Sequence, residues 1–171
     1  MSVTGGAHYS AGDGLALSSG TFSLQGILKK TLASNLAGIN GTQEALSLTL
    51  PVSGKYYSFM GYFPVNGTGV TEQNFAVHSF PGTFLWVQSE TISGNTQGSA
   101  GTAVLTYSTY VTSTGTVFGT GATASYSYNV VRFWGAVLTT AANQVLQIDQ
   151  IDTGTTNNLA AGAWLMAVVE N

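Results

Sequence analysis

The ionisable side chains that could take part in covalent catalysis are few, and they are scattered along the sequence. The two histidines, His8 and His78, lie far apart. A nucleophilic mechanism needs a base beside a nucleophile and a third group that orients the base. No motif places a serine and a carboxylate beside His78, and the pattern Gly-x-Ser-x-Gly is absent. We therefore interpret His78 as an ordinary residue of a strand or of a sheet rim.

The seven carboxylates do not form a recognisable acid–base pair. A glycoside hydrolase needs two carboxyl groups that face each other across a cleft. Asp13 lies in a glycine-rich turn, and Glu170 stands beside the last residue. Asp149 and Asp152 are three positions apart on a predicted strand, so their side chains should point to opposite faces. We predict that the chain is not an enzyme and uses no cofactor.

The segment 149–158 offers several oxygen atoms, among them those of Asp149, Asp152 and Asn158. Carboxylate and amide oxygens are the ligands that a hard cation such as calcium prefers, but the spacing is not that of an EF-hand loop. We interpret the segment as a solvated strand end, with Asp149 facing outward, followed by a loop. We accordingly predict no metal site, and a cation bound near Asp149 and Asp152 is the alternative.

The aromatic side chains are the remaining candidates for a binding function. Exposed aromatic rings bind the apolar faces of sugars, and neutral polar loops supply hydrogen bonds. Trp164 lies in the last predicted strand and is expected in the core. Trp134 follows Phe133, so one of the two faces away from the core, towards solvent or a neighbouring subunit. The residues that we expect to contact a receptor are Trp86, Tyr110, Thr116, Phe118, Tyr126 and Asn157.

The composition excludes several classes of partner. Charged residues make up only 6% of the sequence, with four Lys and Arg in total and a net charge of −3. Binding to nucleic acid or to an anionic membrane surface requires many more basic residues. No apolar run approaches the ~20 residues of a membrane span. The absence of cysteine rules out disulfides and thiolate metal sites. We expect a surface of neutral polar residues that binds neither nucleic acid nor membrane.

The hydrophobic pattern between residues 45 and 171 is that of an all-β protein. Leu46, Leu48 and Leu50 alternate with polar residues, whereas 56–63 and 163–169 are nearly continuous apolar runs. Alternation indicates a strand with one wet face, and a continuous run indicates a strand covered on both faces. With turn signals about every 8–12 residues, we predict an antiparallel β-sandwich. Function should sit on the loops 93–101, 112–123 and 153–161, which we expect at the end distal to the N-terminal segment.

Residues 26–44 are interpreted as a connector. Leu28, Leu32 and Leu36 lie four apart, which would stack them on one helical face, and Gly38 is placed to end a helix. The spacing predicts a short helix within 25–36, and an irregular connector is the alternative.

The N-terminal residues 1–25 contain two short alternating runs bounded by glycine turns. Leu15, Leu17, Phe22 and Leu24 are too few to form a core of their own. We expect them to meet those of identical copies on a three-fold axis. Gly-x-Gly-Leu-x-Leu followed by Gly-x-Phe-x-Leu resembles the shaft repeat of trimeric viral fibres, including many bacteriophage tail fibres. An ordinary N-terminal hairpin is the alternative interpretation.

The C-terminal pattern carries a second resemblance. The runs 131–138, 145–151 and 162–169 are similar to the last three strands of tumour-necrosis-factor-like and complement-type jelly-roll domains. These domains are trimers, so the resemblance implies a homotrimeric, jelly-roll-like head. Together the two resemblances imply a receptor-binding head of a bacteriophage fibre or spike on the virion surface. It would bind a host glycan or receptor, and other virion proteins through its N-terminus. The alternatives are a structural, baseplate or decoration protein of the virion and a soluble trimeric signalling domain.

Overall fold

The computed structural model describes residues 15–18, 21–24, 27–67, 73–94, 104–121, 128–154 and 157–170. Within these ranges the chain forms strands, turns and connecting segments and contains no helix. The prediction of an all-β protein is therefore confirmed for the part of the chain that the structure describes.

The first two strands form an antiparallel hairpin of their own. β1 (Leu15–Ser18) pairs with β2 (Thr21–Leu24), and the register places Leu15 opposite Leu24 and Leu17 opposite Phe22. The four apolar residues predicted on a trimer axis are therefore cross-strand partners. A hairpin fits both a shaft repeat and an ordinary N-terminal hairpin, so their assembly about an axis stays a prediction.

The larger sheet contains most of the chain. Its strands are β3 (Ile27–Thr31), β4 (Leu36–Ala37), β6 (Tyr56–Gly67), β8 (Thr83–Gly94), β9 (Val104–Val111), β11 (Tyr128–Leu138), β13 (Asn157–Leu159) and β14 (Trp164–Val169). The main order is β3-β14-β6-β11-β8-β9, and β13 joins β4 to one end of β6. All strand pairings among the described residues of this sheet are antiparallel. The last strand lies between β3 and β6, which confirms that it is not an edge.

The smaller sheet covers one face of the larger one. It consists of β5 (Gly41–Leu50), β7 (Gln73–Val77), β10 (Val117–Gly121) and β12 (Gln144–Asp152), in the antiparallel order β10-β7-β12-β5. The two sheets share one apolar core, which is the arrangement of a β-sandwich.

Phenylalanine rings from both sheets meet in the core. Phe63 of β6 makes edge-to-face contacts with Phe133 of β11 and Phe75 of β7, at centroid distances of 4.9 and 5.0 Å. Gly61 and Gly135 give these rings room, because a Cβ atom at Gly61 would collide with the Phe133 ring and one at Gly135 with the Phe59 ring. Two glycines inside long strands therefore serve the packing of the core.

The strands define two opposite ends of the sandwich. At one end, which we call the root, Leu138 pairs with Tyr56, and at the other, the tip, Tyr128 pairs with Asn66. β3 begins beside the root, because Ile27 pairs with the end of β14, which pairs with the beginning of β6. The chain that precedes Ile27 therefore joins the sandwich at its root.

The helix predicted within 25–36 is wrong for the described residues. Residues Ile27–Thr31 form an edge strand along β14, and Leu28, Leu32 and Leu36 pack against the core while remaining partly exposed. A spacing of four residues keeps side chains on one face of a helix, but it is also a multiple of the strand period of two. Here the segment forms a strand because it pairs with the free edge of β14.

Two predicted loops are wrong in part. Within 112–123, Val117–Gly121 form β10, which pairs with β7 at the edge of the smaller sheet. Within 153–161, Asn157–Leu159 form β13, which pairs with β4 and β6. Threonine and glycine are common in turns, but backbone pairing with a neighbouring strand overrides that local preference.

Candidate functional site

The outer face of the larger sheet carries large apolar side chains instead of polar ones. Phe59, Phe63 and Phe133 point into the core, so the residues between them point outward. The register aligns the outward residues of β14, β6, β11, β8 and β9 in rows across the sheet. We call the following set the aromatic face: Ile27, Met60, Tyr62, Trp86, Tyr110, Trp134, Trp164 and Met166.

Two stacked aromatic pairs lie on the aromatic face. Tyr62 and Trp164 stack with centroids 6.3 Å apart and planes at 14°, and Lys29 Nζ lies 5.3 Å from the Trp164 ring centre. Trp86 and Tyr110 stack at 6.1 Å and 22°. Stacked and cation–π geometries hold the rings in fixed orientations. The face is therefore a pre-arranged surface on which flat apolar groups can pack.

A shallow, largely apolar pocket of about 290 Å³ opens in the middle of this face. Tyr62, Trp134 and Trp164 form part of its lining, together with Glu90 and Arg132. Arg132 Nη2 donates a hydrogen bond of 3.2 Å to Glu90 Oε2. The two charges at the pocket thus satisfy each other, and the pocket suits an apolar or aromatic group of a partner.

The structure brings together only two of the predicted receptor-contact residues. Trp86 and Tyr110 are stacked neighbours, and Tyr110 is 63% exposed. Thr116 lies in the turn before β10, where its hydroxyl bonds that of Ser113 at 2.8 Å. Tyr126 lies outside the described residues.

The prediction that Phe118 and Asn157 contact a receptor is wrong, because both side chains are buried. Phe118 is 1% exposed and packs against Phe133 at a centroid distance of 5.1 Å. Asn157 is 0% exposed. Neither side chain can contact a receptor from these positions, because inward-facing strand positions are covered by the opposite sheet.

The expectation that the loops 93–101 and 112–123 share the end distal to the N-terminal segment is wrong. β9 ends at Val111, which pairs with Val87 towards the root, so the turn that follows lies at the root. β8 ends and β9 begins at the tip, where Ser93 pairs with Val104. Tyr110 and Thr116 therefore lie away from the tip, and strand pairing rather than loop composition decides this.

For other residues of the aromatic face, the sequence analysis predicted a different position or made no prediction. Trp134 faces outward and Phe133 inward, which confirms that the pair divides between two faces. Trp164 was expected in the core but is partly exposed on the aromatic face. Met60 and Tyr62 were not singled out, although the continuous apolar run 56–63 is the signal that both faces of β6 are apolar.

A second arrangement of polar groups lies on the outer face of the smaller sheet. His78 Nδ1 lies 2.6 Å from Asp149 Oδ2, and Gln147 Nε2 donates to Asp149 Oδ1 at 2.7 Å. Asp149 is 6% exposed, so the expectation of a solvated carboxylate is wrong. A histidine and a carboxylate can act as base and orienter only beside a nucleophile. Among the described residues the only side-chain hydrogen bond of His78 is the one to Asp149.

The interior of the sandwich becomes polar towards the tip. Gln73, Asn129 and Gln150 are 0% exposed, and their side-chain polar atoms have no hydrogen-bond partner among the described residues. Asp152 is 2% exposed. Burial raises the pKa of the Asp152 carboxyl above its ordinary value, while hydrogen bonds from the backbone of Gly154 and Thr153 act in the opposite direction.

In the described part of the chain no three His, Cys, Asp or Glu side chains come together to hold a metal ion. The described residues also include no helix long and apolar enough to cross a membrane. No protein-family model matches the chain, and no curated protein is detectably similar to it.

Proposed function

We propose that the chain forms the homotrimeric, jelly-roll-like head of a viral fibre or spike, of the bacteriophage kind. In this proposal the head attaches the particle to a glycan or receptor on the host surface and makes or breaks no covalent bond. The N-terminal segment joins the head to other virion proteins. The low charge of the chain and its sandwich of two antiparallel sheets fit a durable binding module.

The observation that carries the proposal is the aromatic face. An antiparallel sheet that packs on a core through one face usually presents polar residues on the other. Here the second face presents three tryptophans, and Met60 is 42% exposed. Contiguous exposed apolar surface of this kind marks an interaction site. A second copy of the same chain is the simplest partner, since most soluble oligomers are symmetric homo-oligomers.

The charges on the aromatic face are compatible with its burial between subunits. Burying a charge is costly unless it is paired and hydrogen-bonded. Arg132 and Glu90 already bond each other within one chain. If another subunit packs on this face, neither charge is buried without its partner. The apolar pocket beside them could accept an apolar side chain of that subunit.

Receptor contacts belong at the tip in this proposal. Because the chain enters the sandwich at the root, a shaft that precedes Ile27 would leave the opposite end free. Of the loops expected from the sequence, 95–101 follows β8 and lies outside the described residues, and 153–154 follows β12. Both strands end at the tip. Trp86 and Tyr110 would then lie at a subunit boundary and support the tip indirectly.

A matched pair of variants tests the assembly. Met60 on the aromatic face and Val145 on the outer face of the smaller sheet are both 42% exposed. We expect Met60→Glu to convert a trimer into a folded monomer, because each interface would bury an unpaired carboxylate, and Val145→Glu to leave the trimer intact. Light scattering at micromolar concentration measures both. A wild-type monomer, or equal behaviour of the two variants, would contradict the proposal.

Adsorption blocking tests attachment itself. The purified wild-type protein should compete with virions for host cells, and the Met60→Glu monomer should need an about 10²–10⁴-fold higher concentration because avidity is lost. The Val145→Glu variant is the control and should block like the wild type. A stable trimer that never blocks adsorption, yet is retained in particles, would instead indicate the structural virion protein considered above.

A further inference from the structure

Three oxygen atoms converge beside Gly38 at the tip of the sandwich. A Cβ atom on Gly38 would collide with Asp152 Oδ2 and with the main-chain oxygen of Asn157, and it would lie 3.3 Å from the main-chain oxygen of Gly154. Because Gly38 has no side chain, these three oxygens can lie close to its Cα atom. All three atoms are hydrogen-bond acceptors. The Asn157 oxygen accepts the N–H of Gly38 at 2.7 Å, whereas Asp152 Oδ2 has no donor among the described residues.

The carboxylate in this cluster is buried and incompletely satisfied. Asp152 is 2% exposed. Its Oδ1 accepts a 3.1 Å hydrogen bond from the backbone N–H of Gly154, whereas its Oδ2 has no partner among the described residues. None of the ion pairs of the described residues includes Asp152. A buried carboxylate without a counter-charge is costly, and this cost points to a ligand that supplies one.

An independent observation comes from the neighbouring strand. Gln73 of β7 is the register partner of Asp152, so that the two side chains share the inner face of the sheet with Cβ atoms about 5 Å apart. Gln73 is 0% exposed, and its amide oxygen and nitrogen have no partner among the described residues. Its amide oxygen is thus within a side chain's reach of the Asp152 carboxylate and is available to a ligand.

We propose that this cluster binds a calcium ion through Asp152 Oδ2, the main-chain oxygens of Gly154 and Asn157, and the amide oxygen of Gln73. Calcium takes 6–8 oxygen ligands in an irregular shell, with carboxylate, backbone and amide oxygens mixed. Magnesium requires a smaller, regular octahedron and keeps its water. A cluster of one carboxylate and several carbonyls therefore favours calcium.

The ion would connect three separate segments of the chain at the tip. Asp152 ends β12, Asn157 begins β13, and Gly38 follows β4 and donates its N–H to the Asn157 oxygen at 2.7 Å. A single protein carboxylate predicts modest affinity, in the range of extracellular calcium modules. In a chain without cysteine, such an ion would take the place of a disulfide in holding these segments together.

Thermal unfolding of the full chain tests the proposal. After removal of divalent ions by a chelator, 10 mM calcium chloride should raise the Tm by about 3–10 °C for a Kd of about 0.1–1 mM. Magnesium chloride at equal concentration should raise it less. Asp152→Asn should abolish the calcium response. Asp149→Asn is the matched control, since Asp149 is a buried carboxylate of the same strand whose two oxygens are hydrogen-bonded, and it should keep the response.

Gly38→Ala provides a second variant that removes none of the proposed ligands. Its methyl group would collide with Asp152 Oδ2 and with the main-chain oxygen of Asn157. Both atoms would be displaced, so the calcium-dependent shift should disappear. Isothermal titration of the wild type should give one calcium per chain. The absence of a calcium response in the wild type, or an equal response in Asp152→Asn, would overturn the proposal and would indicate that a proton on Asp152 satisfies the cluster. Neither result bears on adsorption blocking.

Discussion

The two outer faces of the sandwich differ, although both sheets close the same core. On the smaller sheet the outward residues of β5 and β12 include Thr42, Glu44, Thr49 and Gln147, which suit water. On the larger sheet the corresponding positions form the aromatic face. The smaller sheet therefore follows the alternation of an antiparallel sheet with one wet side, and the larger sheet does not.

This difference shows that burial in a single chain does not account for the whole sequence. Large aromatic side chains stabilise a fold when they lose contact with water. Those on the aromatic face lose only part of it within one chain, while Phe59, Phe63 and Phe133 behind them are fully buried. We propose that the apolar side chains left exposed on the aromatic face pack between subunits, and the following predictions test this.

The largest effect should separate two adjacent residues of β11. Phe133→Ala should cost about 3–5 kcal/mol in any state of assembly, because it opens a cavity among core rings. Trp134→Ala opens no enclosed cavity and should cost about 1 kcal/mol or less in the monomeric Met60→Glu background. Denaturant unfolding measures both. Equal losses in that background would mean that the outer face packs like the core.

Trp164→Ala should have an intermediate effect. Sequence reasoning expects a core residue and a loss of about 3–5 kcal/mol. Because Trp164 is partly exposed and stacked on Tyr62, we expect about 1–2 kcal/mol in the monomeric background, and a larger loss in the trimer. The unfolding free energy at two protein concentrations distinguishes the two contributions. Tyr62→Ala should behave alike, and a full core-sized loss in the monomer would contradict this view.

The smallest effects should come from two polar side-chain pairs, Arg132–Glu90 on the larger sheet and His78–Asp149 on the smaller one. Arg132 and His78 have similar side-chain exposure, 50% and 54%, and each contacts a less exposed carboxylate. Arg132→Ala and His78→Ala should each cost about 0.2–1 kcal/mol in the monomer. Only Arg132→Ala should weaken the trimer, because it leaves Glu90 unpaired at the interface. Sedimentation at decreasing protein concentration measures the dissociation of the trimer. A weaker trimer in the His78→Ala variant would indicate that the subunits contact each other through the smaller sheet, which would contradict the proposal.

Part of the candidate site could be predicted from the sequence, and part could not. The alternation at Phe133 and Trp134 divides that pair between two faces without any structure. The same rule places Asp149 outward, yet it cannot reveal that His78 and Gln147 cover it. Likewise, Trp86 and Tyr110 become neighbours only through the pairing of β8 with β9.

By itself, the sequence determined that the protein is built of strands and that its surface carries little charge, because these properties follow from residue type and from a period of two. Tertiary structure decided everything that depends on which strands are neighbours. An open edge of β14 made Ile27–Thr31 a strand, and pairing with β7 did the same for Val117–Gly121. The tertiary structure also placed the Asp152 carboxylate and the main-chain oxygen of Asn157 beside Gly38. Contacts between residues distant in the chain depend on packing and on backbone pairing, so a local sequence pattern does not predict them.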